Sequence, residues 1–293
     1  MAHVSMDLVK KLRDRTQVGM MDCKKALEET DGDFDKAVDL LRQKGAAVAS
    51  KRADNATQNG RIEAYVGNDF TVGALAEVAC ETDFSAHTEA MEVFTKDVAA
   101  HIATQNPASV DVLVKQPSHN NASLTIEQKL QELIAKICEN IKVNRFVRFN
   151  SDKNGFINAY IHPGSTVGVM IQIKTDKEAL PHKDALKELT KDLCMQVAVT
   201  NPLAVNHTDL DPETVKKERE IALEQMKDSG KPAQVLEKII DGKIQKFYKE
   251  VCLVEQLFIK NDKATVATVI AETGKKLGLN ISVVTFVRFS IGR

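Results

Sequence analysis

Apolar residues at helical spacing open the chain. Ser5 is placed to cap a helix in which Leu8 and Leu12 recur one turn apart. Gly19 interrupts that pattern. A second helix is predicted from Met20 to about residue 29, with Ala26 and Leu27 turned inward. Asp31 and Gly32 make a turn, and Asp33 caps a third helix carrying Phe34, Ala37, Val38 and Leu41. A bundle of about 45 residues is marginal on its own. Residues 46–60 hold small and polar side chains, among them Lys51, Arg52, Asn55 and Asn59, and read as the tail of the third helix followed by a linker. The first unit is therefore expected over residues 1–54.

Beyond it the pattern repeats. Asn59, Gly60, Arg61, Ile62, Glu63, Ala64, Tyr65, Val66 returns 95 residues on as Asn154, Gly155, Phe156, Ile157, Asn158, Ala159, Tyr160, Ile161. Thr71, Val72, Gly73 returns at the same offset as Thr166, Val167, Gly168, Thr95, Lys96, Asp97 as Thr190, Lys191, Asp192, and Asn106, Pro107 as Asn201, Pro202. A strand-like block at 140–149 returns at 280–289, an offset of 140. The offset grows from 95 to 140, so the second copy carries an insertion of 45 residues.

Each copy begins with two strand-like runs around a Gly-containing turn, at 61–67 and 71–80, and at 156–162 and 166–175. A helix follows (about 88–104 and 182–199) and ends before Asn-Pro. A second helix comes next, at about 125–139 and 264–277, then a closing strand with Phe146, Val147, Arg148, Phe149 or Phe286, Val287, Arg288, Phe289. The expected class is α+β: a duplicated unit of a small antiparallel sheet with helices on one face. The first copy spans 55–152, the second 153–205 and 251–293, and the insertion 206–250.

Within the insertion, 212–228 and 233–250 are charged helical stretches broken at Ser229, Gly230, Lys231 and Pro232. Val215, Ile221, Ala222 and Met226 are expected to face Val235, Leu236 and Ile239 across a helical, coiled-coil hairpin. So narrow an apolar stripe does not bury itself in two helices. It is either a solvated arm or a surface that docks on a second protein.

Composition narrows the function. Lys and Arg number 40 against 41 Asp and Glu, for a net charge of -1, and there is no Trp. Nucleic-acid binding by counterion release or base stacking is not expected from such a chain. The five cysteines, Cys23, Cys80, Cys138, Cys194 and Cys252, form no Cys-x-x-Cys pair and read as reduced, buried thiols of a cytoplasmic protein. No apolar run reaches the roughly 18 residues of a membrane span, and no signal core precedes the first helix. A Gly-x-x-x-x-Gly-Lys-Ser/Thr phosphate loop is missing, as is zinc-ligand spacing among the His and Cys residues. Cys80 beside Glu81 is a poor nucleophile, because a neighbouring carboxylate raises its pKa. Catalytic residues, metals and cofactors are not expected, which leaves a binding protein.

Two stretches carry a family resemblance. One is Leu12, Arg13, Thr16, Gly19, Met20, Met21, Lys24, Lys25, Ala26, Leu27. The other is Glu77, Val78, Ala79, Cys80, Glu81, Thr82, Asp83, Phe84. Both resemble signatures of the elongation factor Ts family, and the order of parts agrees along the whole chain. The sequence departs from the family at Ala79, usually Asn, at Ser85, usually Val, and at His87, usually Lys. Many bacterial members also continue into a short C-terminal helix, where this sequence stops at Ile291, Gly292, Arg293. The resemblance implies a guanine-nucleotide exchange factor acting on the GTPase elongation factor Tu. It also implies an N-terminal module like the ubiquitin-associated domain.

Phe84 is the first site candidate. In the second copy Ala179 stands at its position, with Lys177 and Glu178 for Thr82 and Asp83. A residue that both copies needed for folding would recur, and this one does not. From the residues alone two readings stand: a ring stapling its own domain, or an exposed contact. The resemblance implies the contact, a wedge entering an apolar pocket beside the switch-II helix of the GTPase and disturbing its Mg²⁺ and phosphate sites. It further places Arg13, Met20, Met21, Lys24 and Lys51 on the GTPase domain, and His162, in the turn Tyr160, Ile161, His162, Pro163, Gly164, on another domain. Ile137, Phe258 and Ile259 are weaker carry-overs that read equally as core or edge-strand residues. The hairpin leaves two occupants open: a second copy, giving a homodimer or a 2:2 complex, or the GTPase itself. An adaptor that holds a peptide through its N-terminal bundle is the rival reading, and it gives the duplicated core no task.

Overall fold

The computed structural model describes residues 4–16, 18–226 and 232–292. Three helices form the N-terminal module: α1 (Met6–Thr16), α2 (Met20–Glu29) and α3 (Phe34–Arg52). Val9, Leu12, Cys23, Ala26, Leu27, Ala37 and Leu41 close its core. Asp33 caps α3 by accepting from the Lys36 amide, which satisfies one of the orphan donors of the first turn. Helix α3 runs well past the module and crosses α7 (Ile126–Ile137) of the first copy. Gly45 permits the crossing: a Cβ there would lie 2.9 Å from Ala135 Cβ and 3.1 Å from the Gln131 carbonyl oxygen. Arg42 fixes it with an ion pair to Glu132 at 3.0 Å.

The first copy contains strands β1 (Asn59–Val66), β2 (Val72–Cys80) and β5 (Ile141–Asn150), antiparallel in the order β1-β2-β5. The second contains β6 (Gly155–Ile161), β7 (Val167–Thr175) and β10 (Ile281–Ser290), with β7 central. The duplication extends to irregularities. Asn144 bulges out of the β2–β5 ladder and Val284, 140 residues later, out of β7–β10.

Both faces of each sheet are covered. Helices α5 (Glu89–Gln105) and α7 cover the first, and α8 (Lys183–Thr200) and α11 (Val266–Leu277) the second. The opposite faces pack on each other through Ile62 and Leu75 from one sheet and Ile157, Met170 and Phe289 from the other. The result is a helix–sheet–sheet–helix stack, where the sequence led only to helices on one face. A pseudo-twofold relation governs the seam. The Ile62 amide donates to the Ser165 carbonyl at 2.8 Å, and the equivalent Ile157 amide to the Phe70 carbonyl at 2.7 Å. Gly73 and Gly168 occupy equivalent points where the sheets come closest. A Cβ on Gly73 would meet Ile157 Cγ2 at 2.6 Å, and one on Gly168 would meet Ile62 Cγ2 at 2.5 Å.

Each copy also holds a small hairpin that periodicity did not announce, because its strands are too short. These are β3 (Pro117–Ser118) with β4 (Asn121–Thr125), and β8 (Leu257–Phe258) with β9 (Asn261–Thr265). A six-residue helix, α6 (Val110–Lys115), precedes the first hairpin.

The insertion forms α9 (Pro212–Glu224) and α10 (Ala233–Val251). Its predicted break at Ser229, Gly230 and Lys231 lies outside the described residues. The apolar seam is shifted from the predicted one. Ala222 packs on Ile240 and Ile244, with Val215 and Tyr248 at the edge, whereas Ile221 and Val235 point outward. The hairpin leaves and rejoins the core at neighbouring points, for the Leu253 amide donates to the Ala204 carbonyl at 2.9 Å. All five thiols are free, and four are buried as expected. Cys138 is exposed, because it caps the C-terminus of α7 in the left-handed conformation. Among the described residues no helix is long and apolar enough to cross a membrane.

Candidate functional site

Strand β2 ends at Cys80, and the chain then turns through a four-residue helix, α4 (Asp83–Ala86). Thr82 caps it, its hydroxyl accepting from the Ser85 amide at 3.3 Å. Ser85 and Ala86 face inward. Phe84 faces out and is 82% exposed. The Asp83 carboxylate accepts from the Phe84 amide at 2.8 Å, and His87 Nδ1 meets the Asp83 carbonyl at 2.7 Å.

The turn is gripped by its neighbours. Glu139, two residues past α7, accepts from the Thr82 amide at 3.1 Å and from the Thr82 and Ser85 hydroxyls, both at 2.7 Å. Glu81 is clasped by the Asn140 amide, by the Asn55 side chain at 3.0 Å and by Arg52 at 3.2 Å. These partners, led by the Asn140 N–H, hold its carboxyl below the usual carboxylate range. Burial, and then the Glu139 carboxylate, pushes the Cys80 thiol up to about 11. That removes it as a nucleophile at neutral pH.

The second copy retains half of this arrangement. Asp176 stands at the position of Glu81, and its carboxylate accepts from the Asn280 amide at 2.8 Å. That contact holds its carboxyl low as well. The other half is gone. Leu279 replaces Glu139 and is buried, and Ala179 replaces Phe84 at 1% exposure. Two corners with one ancestry thus end as an inward alanine and an outward aromatic ring.

The remaining candidates divide into groups. Lys51 and Ile137 lie near the Phe84 corner, Lys51 exposed beside the Arg52 that bonds Glu81, and Ile137 half-buried two residues before Glu139. Thr82 and Asp83 belong to the corner itself. Arg13, Met21 and Lys24 are exposed on the N-terminal module, with Lys24 3.7 Å from Glu28. Met20 is half-buried against the module's core, and Met21 is the methionine of the pair whose side chain is exposed. His162 is exposed in the β6–β7 turn, its Nδ1 3.1 Å from the Tyr160 hydroxyl. Phe258 is buried at 7% in the core of the second copy, because β8 turns its ring under α11. Its neighbour Ile259 is exposed, its amide donating to Gln196 at 2.8 Å.

Glu139 and Asn140 escaped the sequence reading. The signal was present in the duplication: Asn140 recurs as Asn280, while Glu139 becomes Leu279 at the same offset. Among the described residues, no group of three His, Cys, Asp or Glu side chains is placed to hold a metal ion.

The family described as Elongation factor TS matches residues 81–293. A protein named elongation factor Ts from Clostridium botulinum (strain Alaska E43 / Type E3) is 44% identical over 290 residues, covering 99% of this chain and 93% of the relative. One from Clostridium novyi (strain NT) is 41% identical over 289 residues, with the same coverage. Another, from Trichlorobacter lovleyi, is 39% identical over 284 residues, covering 97% of this chain and 91% of the relative.

Proposed function

The chain belongs to the elongation factor Ts family, and on that premise we propose that it is a guanine-nucleotide exchange factor. Its partner is elongation factor Tu with GDP bound, its place the cytoplasm, and its role to release GDP so that GTP can load during translation elongation. The observation that supports this reading best is the Phe84 ring, held out on a pinned one-turn helix while its counterpart Ala179 is buried. A large aromatic surface kept in water on a fixed corner is suited to a partner's pocket.

The mechanism is differential binding. Phe84 enters an apolar pocket near the partner's Mg²⁺ and phosphate sites, with Thr82 and Asp83 at the rim. Burying a Phe side chain contributes roughly 1.5–3 kcal/mol. Driving a partner nearly wholly from one conformation to another takes roughly 5.5 kcal/mol of differential affinity. The rest comes from grip elsewhere. Arg13, Met20, Met21, Lys24 and Lys51, on a module resembling the ubiquitin-associated domain, hold the GTPase domain. His162 holds a second area, and Ile137 and Ile259, the latter beside the buried Phe258, are weaker contacts. Factor and nucleotide weaken each other's binding by the same amount, so arriving GTP expels the factor.

No covalent chemistry, cofactor, nucleic acid or membrane enters the reading. The hairpin, read as a short coiled coil, carries assembly into a homodimer or a 2:2 complex through its outward Ile221, Leu223 and Val235.

The test is direct. Elongation factor Tu carrying fluorescent GDP is mixed with the protein and excess unlabelled nucleotide. Release accelerated many-fold by catalytic amounts of the protein is expected. Binding without accelerated release would leave an adaptor instead.

A further inference from the structure

We infer that Glu139 is the positioning residue that presents Phe84, holding the ring outward before any partner arrives. The inference rests on the exchange reading and adds to it the element that prepares the wedge.

Glu139 reaches the turn from outside and binds both ends of it, Thr82 before Phe84 and Ser85 after. A carboxylate has two oxygens and accepts from several donors at once. Here Oε2 takes the Thr82 amide, and Oε1 takes both hydroxyls. With those three donors fixed, residues 82–85 keep the helical turn that directs Phe84 away from the protein. The four-residue helix has only two i→i−4 bonds of its own, from the Ala86 amide to the Thr82 carbonyl and from the His87 amide to the Asp83 carbonyl, both at 3.3 Å, and nucleation costs more than so few bonds return. Grip from outside therefore decides whether the turn stays formed.

The second copy serves as an internal control. Its clasp between Asp176 and Asn280 matches the one between Glu81 and the Asn140 amide, so that clasp belongs to the shared fold. Position 279 is a buried leucine, which accepts nothing, and position 179 is a buried alanine. The carboxylate and the outward ring occur together in one copy and are both missing from the other. Preorganisation of this kind acts on the step that needs the ring in place, because ordering the turn is no longer charged to that step.

The experiment uses the full chain with Glu139→Leu, which installs the second-copy residue, and Glu139→Gln, which keeps one acceptor oxygen. GDP release from elongation factor Tu is followed against factor concentration. The expected result for Glu139→Leu is a plateau rate lower by about tenfold, the factor that one lost net hydrogen bond supplies. The half-saturating concentration stays within about twofold, because the N-terminal module binds as before. Glu139→Gln recovers much of the plateau, since Oε1 still takes both hydroxyls.

A second readout needs no partner. The chain has no Trp, so Phe84→Trp introduces a single indole fluorophore at the corner. Its anisotropy is expected to fall when Glu139→Leu is added, with far-UV circular dichroism unchanged. If Glu139→Leu releases GDP at the wild-type plateau while Phe84→Ala is slow, the inference is overturned. Should Phe84→Ala itself prove harmless, the wedge reading fails, and the indole anisotropy of the Phe84→Trp variant alone then decides: an unchanged value overturns the role of Glu139. Global unfolding of Glu139→Leu moves the same decision to Glu139→Ala, which removes every acceptor without adding a bulky apolar group, and there an unchanged plateau and anisotropy overturn it too.

Discussion

Phe84 and Ala179 hold equivalent positions 95 residues apart, and they face opposite ways: the ring is 82% exposed and the methyl 1%. Duplication supplies two corners of one design, and only one of them presents an aromatic ring to solvent. That asymmetry separates structural from functional roles. Whatever recurs in both copies serves the fold, and whatever departs in one copy is free to serve a partner.

Phe84→Ala follows first. The ring touches little of its own domain, so stability is expected to change by less than about 0.5 kcal/mol, as for an ordinary surface site. GDP release at saturation should slow about ten- to a hundredfold, the range that corresponds to losing the burial of one Phe. Complex formation should survive in weakened form. Thermal unfolding together with stopped-flow release checks both halves. A correctly folded variant with undiminished release removes the wedge.

A second prediction concerns the seam between the sheets. Gly73→Val and Gly168→Val each force a side chain into space held by the other sheet, against Ile157 and Met170 in one case and Ile62 and Leu75 in the other. Overpacking of a close contact costs about 1–3 kcal/mol. The two variants should lose similar stability, because the positions are equivalent. Denaturant unfolding measures it, and a loss in one variant alone would deny the pseudo-twofold seam.

His101 gives a pH dependence with a definite sign. The ring is buried, its Nε2 lies 2.8 Å from the Gln116 side-chain oxygen, and its Nδ1 accepts from the His119 amide at 3.2 Å. Nε2 therefore carries the proton and Nδ1 is free of one. Burial is the main cause holding the pKa below its ordinary value, with His119 and Lys129 also disfavouring the charge; the Gln116 bond works the other way. Asp97 sits close by on the same helix, paired to Lys129 at 2.9 Å. The folded protein thus binds this proton less readily than the unfolded chain does. Stability from this group is complete above about pH 6.5, the ordinary histidine value, and is lost as pH falls from there through the lower folded value. The second copy uses Gln196 at this position, accepting from the Ile259 amide and donating to Gln256. His101→Gln should therefore fold and flatten the acid limb of the stability curve. An unaltered limb in unfolding titrations between about pH 5 and 7.5, the range that brackets the ordinary histidine value, would remove the assignment.

Much of this architecture was legible in the sequence, for identifiable reasons. The helices of the N-terminal module show their caps and apolar faces plainly, and Asp33 caps α3 as its position implies. The sheets announce themselves through the repeat. What stayed hidden depends on contacts distant along the chain. Nothing local to Glu139 says that it reaches back 57 residues to Thr82. The β3–β4 hairpin is held by His101 and Gln116 rather than by its own pattern. In the sequence Phe258 reads equally as a contact residue beside Ile259 and as a core or edge-strand residue, and the packing of β8 under α11 shows that its ring is internal. In the hairpin, Ile221 and Ala222 are adjacent, and the sequence does not say which of them owns the seam.

Removal of the hairpin is the last test. Helices α9 and α10 meet each other through Ala222, Ile240 and Ile244, and they meet the core mainly at their base, around Ala204, Leu210 and Cys252. The two points of attachment adjoin, with the Leu203 amide donating to the Val251 carbonyl at 2.8 Å. A short glycine linker replacing 212–250 therefore closes the gap without stretching the sheet. The first copy closes with no such element, so the shortened chain should keep its cooperative unfolding transition, with a melting temperature lower by only a few degrees. The loss expected is that of the partly buried Val215, Phe247 and Tyr248 at the base, about 1–3 kcal/mol in total once their incomplete burial is allowed for. The outward Ile221, Leu223 and Val235 go with the deleted segment. If they join two copies, light scattering on the complex with elongation factor Tu will show its mass fall by half relative to that of the full-length protein. Loss of the folded core on deletion would refute the insertion, and an unchanged mass would take the hairpin out of the assembly.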